Sequence, residues 1–260
     1  MSFLDDVDEV KALVNHDLEL LGRSAPHKLG EACDHLCQNL RTLAGCALLA
    51  DADTDAFHSL SARCGFVRLH FLRGCSRAGL RNPYSATGNN SAIFDVIAAR
   101  HYQLAKQIAV ASAQQWSDGD EYLDDFCLMH FVNQVVCAEK YVPGDLAKTL
   151  SNFKEALSGD PSAYFDVCQA LLAKKQPDFD DAFSALITER HAELRRDSEK
   201  FYTEEITFQV KSRVFVEGLA FLNLAELAGL RISDDYEYCL PLARVQPRTL
   251  SSEAELLRPI

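Results

Sequence analysis

Two cysteines lie one helical turn apart in the segment "CDHLC", where the thiolates of Cys33 and Cys37 could face the same metal ion. A structural zinc site needs four ligands, and no second pair at a recognisable spacing accompanies this one. Both cysteines also continue an apolar stripe with Leu29 and Leu40. We therefore expect two small buried side chains, with no metal and no other cofactor.

Two short patterns suggest hydrolase chemistry on helices. His16 and Asp17 form the dipeptide of the metal-dependent HD phosphohydrolases, which are all-α proteins. Arg63 and His70 have loosely the spacing of the arginine and histidine of the HEPN ribonucleases. Each match is only two residues long, and a metal site would need further ligands from other helices. A metal-dependent or HEPN-like hydrolase acting on nucleotides or RNA is therefore the alternative function.

Carboxylates cluster where helices are expected to begin. Such clusters can hold Mg²⁺ for phosphate chemistry, but a facing acidic motif would be needed. Carboxylates at helix starts also bind free backbone N–H groups and interact with the positive end of the helix dipole. The three clusters are Asp51, Asp53 and Asp55; Asp120, Asp124 and Asp125; and Asp178, Asp180 and Asp181. We expect capping, solvated carboxylates that can still contact a partner.

The charge balance excludes some function classes. The chain has 26 Lys and Arg against 38 Asp and Glu, a formal charge of -12, which argues against a nucleic-acid-binding surface. Neither a phosphate-binding glycine motif nor a GxSxG elbow is present. The absence of these motifs shifts the balance modestly from an enzyme towards a binding protein.

The cysteines and the N-terminal segment bear on the compartment. The 9 cysteines are an odd number without a CxxC pair, which is not a disulfide framework. The N-terminal "MSFLDDVDEV" is acidic where a signal peptide would be basic, and no apolar window is long enough to span a membrane. We expect a cytoplasmic protein whose cysteines are buried.

Apolar residues recur at spacings of three and four, which predicts an all-α fold. We expect a single compact bundle of about nine helices over residues 1–230 and an extended segment over residues 231–260 packed on it. The tail contains Pro241, Pro247 and Pro259. The helices are expected to start near residues 3, 26, 54, 91, 120, 145, 161, 178 and 204.

Some local features refine these helices. One stripe continues from Phe94 through His101 to Ile108, which predicts one helix with His101 on its apolar face. The stretch "ITFQVKSRVFV" also alternates like a strand, but it runs into a helical pattern and we favour a helix. The expected helix starts carry Thr54 and Asp145 as N-caps, Pro161 after Asp160 in the first turn, and Asp178 as a cap.

The segment "FVEGLAFLNLAELAGL" contains only Glu217 and Glu226 as ionisable groups. With Asn223, these residues leave no broad polar face on a helical wheel, so we expect the central helix of the bundle. Small residues would let neighbouring backbones approach, and Gly229 is placed to end the helix.

"VFVEGLAFLNLAELAGL" followed by "DDYEYCLPLARV" resembles the C-terminal signature of the bacterial immunity 49 family. That signature is an aromatic-Val-Glu-Gly-Leu-Ala run, a glycine stop, an acidic-Tyr segment and a proline. The resemblance implies an immunity protein without enzymatic activity. Such a protein binds and neutralises a cognate secreted antibacterial toxin, often a type VI or Rhs-type polymorphic effector, and so protects the producing cell.

Many such toxins are nucleases, whose phosphate-binding surfaces are basic, so an acidic inhibitor can both steer towards the toxin and cover it. We expect the toxin-facing surface on acids at helix starts and loops. These are Asp51, Asp53, Asp55, Asp118, Asp120, Glu121, Asp124 and Asp125. A helical adaptor for another protein would differ from this hypothesis only in its partner.

Overall fold

A computed structural model describes residues 3–80, 82–137, 143–199, 205–255 and 258–260. Over these residues the chain is helical and contains no strand, which confirms the all-α class. The helices are α1 (Phe3–Arg23), α2 (Gly30–Asp51), α3 (Thr54–Ala78), α4 (Ala92–Ala98), α5 (Tyr102–Ala111), α6 (Leu123–Val136), α7 (Pro143–Ala156), α8 (Ala163–Ala173), α9 (Gln176–Ser198), α10 (Ile206–Lys211) and α11 (Val216–Leu227). Single 3-10 turns cover Pro26–Lys28, Pro83–Ser85, Pro241–Arg244 and Glu253–Glu255.

The expected number of nine helices is close to the eleven α-helices in the described part of the chain, and two breaks account for the difference. The stripe that predicted one helix through His101 is interrupted at Arg100, whose φ of 57° is left-handed and ends α4. The stretch "ITFQVKSRVFV" is helical, as we favoured over a strand, but the helix is interrupted between α10 and α11. There Phe215 is extended, and its N–H donates to the Tyr238 carbonyl at 2.9 Å.

Neighbouring helices pack largely in chain order. α2 and α3, joined by Ala52 and Asp53, form the most extensive helix pair, with α1 against α2 and with α4 and α5 against α3. α6, α7, α8 and α9 continue the series, each against the next. α10 returns to cross α2 at Gly45, where a Cβ would overlap Val210 Cγ1. Gly45 therefore allows this close crossing.

α11 lies in the middle of the bundle, as the sequence predicted. Leu219 and Phe221 are fully buried, and Phe221 packs between Phe94 and Tyr164. Gly229, with φ 87°, ends the segment as expected. The buried Asn223 amide donates to the carbonyls of Ile97 and Ala98 at 2.9 and 3.1 Å. Asn223 thus adds hydrogen bonds to two carbonyl groups at the end of α4, where the last carbonyls of a helix lack their usual partners, although Ile97 O also accepts from Arg100 N at 2.9 Å.

The C-terminal segment packs on the bundle and contacts α3 and α11. It is not wholly extended, because Pro241–Arg244 and Glu253–Glu255 form 3-10 turns. Side chains of the bundle form polar contacts with the main chain of the C-terminal segment. These join His58 Nε2 to Val245 O (2.8 Å), His101 Nε2 to Ser251 O (2.8 Å), Arg63 Nη1 to Arg258 O (2.8 Å) and Asn15 Oδ1 to Ile260 N (2.8 Å).

Three helix starts differ from prediction by one or a few residues. Asp53, and not Thr54, caps α3, its carboxylate accepting from Ala56 N at 2.9 Å. Ser162 caps α8, so Pro161 precedes that helix. α9 begins before Asp178 because Pro177 occupies its first turn, where a proline loses no helical hydrogen bond.

α7 and α6 also begin away from their expected starts. α7 begins at Pro143, which places Asp145 in its first turn and not at its cap. α6 begins at Leu123, so Asp120 and Glu121 lie in the preceding loop.

All nine cysteines are buried and free, as expected. Burial raises the pKa of the Cys33 thiol to about 12, and the neighbouring Cys37 adds to this. Such a thiol stays protonated near neutral pH, so Cys33 behaves as a small apolar side chain. Among the helices of the described ranges, none has the length and apolarity that crossing a bilayer requires.

Candidate functional site

The predicted partner-binding acids form two groups, and the first lies at the junction of α2 and α3. Asp51 ends α2 and is exposed, Asp53 caps α3, and Asp55 lies 3.5 Å from the exposed Arg248. Asp53 therefore serves local structure and Asp55 the attachment of the C-terminal segment, whereas Asp51 is exposed to solvent.

The second group lies in a loop of residues 112–122, which we term the acidic–aromatic loop, and in the first turn of α6. The loop is ordered by its own hydrogen bonds. Glu121 accepts from the backbone N–H of Gly88, Trp116 Nε1 donates to the Glu121 carbonyl at 3.1 Å, and Ser117 Oγ lies 2.8 Å from Asp120 Oδ2. Asp120 and Glu121 therefore hold the loop and are not free to face a partner.

Two aromatic residues of this loop are exposed. Tyr122 is 79% exposed and Trp116, the only tryptophan of the chain, is 41% exposed. Asp118 beside them is exposed, and Asp124 and Asp125 follow in α6. Partial burial, followed by the charge of Asp124, raises the pKa of Asp125. Exposed aromatic residues are enriched at protein interfaces, and the carboxylates around these two suit a basic partner.

The two acid groups do not form one surface. Arg68 donates to the carbonyls of Tyr84 and Ala86, so the loop that contains Gly88 lies beside Arg68. Asp53 precedes Arg68 along α3 by fifteen residues, and at 1.5 Å per residue the two positions are about 22 Å apart. The eight acids of the predicted toxin-facing surface therefore lie in two groups that are separated along α3.

The aromatic members of the second group, Trp116 and Tyr122, were missed by the sequence analysis. The signal that could have found them is a lone tryptophan in a polar loop beside five acids.

The hydrolase candidates occupy separate environments. His16 is exposed on α1, with Nδ1 3.3 Å from Asp17 Oδ1. Arg63 is buried and donates to the Arg258 carbonyl, while burial lowers the pKa of His70. No group of three or more His, Cys, Asp or Glu arranged to hold a metal ion occurs in the described ranges.

A cavity of about 290 Å³ lies between α2, α9, α10 and α11, and we term it the Arg41–Glu217 cavity. Its polar lining consists mainly of charged residues that the sequence analysis did not associate with one another. These are Arg41, Arg190, Lys211 and Glu217, accompanied by Gln38 and Thr207.

Arg41 is paired with a carboxylate of α4. Its Nε and Nη2 donate to the two oxygens of Asp95 at 2.8 and 2.6 Å, and Asp95 is fully buried. Burial works to lower the pKa of Arg41, but Asp95 and, to a smaller extent, Glu217 raise it well above its usual range. The guanidinium therefore stays charged.

The other two cations of the cavity share partners on α9. Arg190 Nη1 and Lys211 Nζ lie 2.7 and 2.9 Å from the two oxygens of Glu193, and Lys211 Nζ lies 2.8 Å from Asp197. Burial disfavours the charged forms of Glu193 and of Lys211. Their ion pairs have the larger effect, so the pKa of Glu193 is lowered and that of Lys211 is raised. With Asp95 included, three carboxylates neutralise the three cations.

Searches against protein-family models, curated proteins and solved structures found no match. The inferences below rest on the geometry and on the resemblance of the segment that begins in α11. Residues 214–230 of that segment are largely buried and residues 234–245 are mostly exposed or half-buried, and neither part includes the acidic–aromatic loop.

Proposed function

We propose that this protein is a cytoplasmic immunity protein that binds and neutralises a cognate secreted antibacterial toxin, and that the toxin is a nuclease with a basic surface. The observation that carries the proposal is the acidic–aromatic loop, where exposed Trp116 and Tyr122 stand among carboxylates. Aromatic side chains contribute most of the binding energy in many interfaces, and surrounding charges speed association.

The order of the loop supports this role. Thr87 Oγ1 donates to the Ala113 carbonyl at 2.8 Å, and Glu121 binds Gly88, so both ends of the loop are attached to the segment before α4. A loop held in this way loses little conformational entropy on binding. The net charge of -12 adds long-range attraction to a basic toxin.

The test is co-expression with the toxin encoded next to this protein, with bacterial survival and the dissociation constant as readouts. Tyr122→Ala removes an exposed ring and should weaken binding by about 2 kcal/mol, which is about thirtyfold. Asp118→Lys combined with Asp124→Lys should slow association and make it less dependent on salt. Both variants should keep the unfolding midpoint of the parent within a few degrees.

The matched control is Asp51→Lys, at the end of α2 in the other acid group. Because Asp51 lies away from the acidic–aromatic loop, its reversal should leave affinity almost unchanged. Lack of rescue by the parent protein would contradict the immunity function. Rescue with equal affinity in the Tyr122 and Asp118/Asp124 variants would instead move the interface elsewhere.

A further inference from the structure

The Arg41–Glu217 cavity contains hydrogen-bond donors that the protein does not use. The Arg41 guanidinium engages Asp95 through Nε and Nη2, which leaves Nη1 without an acceptor among the described residues. Arg190 is 6% exposed and uses Nη1 for Glu193 and Nη2 for the Lys211 carbonyl, while its buried Nε has no partner within the described ranges. Arg41 therefore presents an unused N–H group in the lining of the cavity, whereas the buried Nε of Arg190 is closed to a ligand.

The same cavity contains an unpaired carboxylate. Glu217 lies in the first turn of α11 and forms no hydrogen bond or ion pair with any described residue. Its charge still acts on Arg41, where it contributes to the raised pKa. The charges of Arg41, Arg190 and Lys211 are already neutralised by the other three carboxylates around the cavity. The negative charge of Glu217 is therefore not neutralised by these cations. Arg41 and Glu217 carry opposite charges and line one cavity without contacting each other. A molecule between them can therefore bridge the two charges.

The remaining wall is apolar, and the size is that of a small molecule. Val210, Val214 and Val216 line the cavity beside the charged groups. A volume of about 290 Å³ is close to the lower end of the range for small-molecule pockets, about 300 Å³. A suitable ligand therefore has both a positive and a negative group and a short aliphatic part.

We propose that the Arg41–Glu217 cavity binds an aliphatic α-amino acid. The ammonium group lies at the Glu217 carboxylate, the ligand carboxylate accepts hydrogen bonds from Arg41 Nη1, and the aliphatic side chain contacts the valines. Both polar contacts are charge-assisted, which gives them more strength than neutral hydrogen bonds. This binding site is independent of the acidic–aromatic loop and of any toxin.

The test is calorimetric titration of the whole protein with valine, leucine, isoleucine and methionine. We expect saturable binding of at least one of them with one site per chain. Leucinamide, which lacks the carboxylate, and 4-methylpentanoate, which lacks the ammonium group, should each bind about tenfold more weakly than leucine. No saturable binding of any of the four at millimolar concentration would overturn the proposal. Leucinamide binding as tightly as leucine would also overturn it.

Three variants locate the site. Glu217→Gln should weaken amino-acid binding about tenfold, whereas Glu155→Gln, the same change at an exposed position of α7, should bind like the parent. Thr207→Trp places a large ring at an exposed position of the cavity wall and should abolish binding without altering any charge. This variant keeps the test valid if Glu217→Gln fails to fold. Unchanged affinity in Thr207→Trp would show that the ligand binds elsewhere or that the cavity holds water only.

Discussion

Arg41 on α2 and Asp95 on α4 form a two-bond ion pair, with donor–acceptor distances of 2.8 and 2.6 Å and with Asp95 completely buried. α2 and α4 are separated in sequence by the whole of α3, so this pair connects elements that no local pattern links. Arg41 of this pair also lines the Arg41–Glu217 cavity. Its geometry therefore matters both for stability and for the proposed ligand site.

Removing one member of this pair should destabilise the protein strongly. Asp95→Ala leaves the largely buried Arg41 charge without its carboxylate and should cost about 3–5 kcal/mol in the free energy of unfolding, measured by urea denaturation. Arg23→Gln, which removes an exposed pair with Glu19, should cost less than about 1 kcal/mol. If the two variants unfold at the same urea concentration, the Arg41–Asp95 pair is not a buried structural contact.

The second prediction concerns the central position of α11. Leu219 is 0% exposed, so Leu219→Asp buries a charge without a partner and should lower the free energy of unfolding by about 4 kcal/mol or more. Leu227→Asp on the same helix is the control, because Leu227 is 60% exposed and the change should cost at most about 1 kcal/mol. Circular dichroism during urea or heat denaturation measures both. A parent-like Leu219→Asp would place α11 at the surface.

Stability should fall in mildly acidic solution. Burial lowers the pKa of His58 below its usual 6.5, although its bond to the Val245 carbonyl works in the other direction. Burial also lowers the pKa of His70 and of His130. The folded state therefore binds fewer protons than the unfolded state, so the stabilising contribution is complete above pH 6.5 and is lost as the pH falls towards the lowered values.

The contribution of His58 can be isolated by substitution. Since Nδ1 of His58 is buried and has no partner among the residues that the structure describes, protonation there would create an unsatisfied donor. His58→Gln should show a smaller loss of unfolding free energy than the parent between pH about 7.5 and 5, measured by urea titrations at each pH. Parallel pH curves for variant and parent would remove His58 as a source. Asp34, Asp95, Glu121 and Asp125, whose pKa values burial raises, contribute with the opposite sign at lower pH.

Local physics explains why some expectations succeeded. The spacing of three and four residues placed Leu36, Leu40 and Leu43 on the buried face of α2, because that period matches the turn of a helix. The same argument put Cys33 and Cys37 in the core. Each of these expectations depends only on residues within a few turns of one another.

The failures share a different cause. His101 lies on an apolar stripe that favours a continuous helix, yet the chain turns at Arg100, where Asn223 from α11 binds the end of α4 and the Ser251 carbonyl binds His101. These partners lie more than a hundred residues away, so no local pattern contains them. The division of the predicted acids into two groups follows from the length of α3, which separates their positions.

The sequence by itself determined the all-α class, the buried cysteines and the central place of α11, because helical period and apolar composition act within single segments. Only the tertiary structure decided that Arg41, Arg190, Lys211 and Glu217 line one cavity, and that Trp116 and Tyr122 stand exposed beside the acids. Which charges meet depends on which helices pack together. That choice is made by the shape of the whole core and not by the pattern of any one helix.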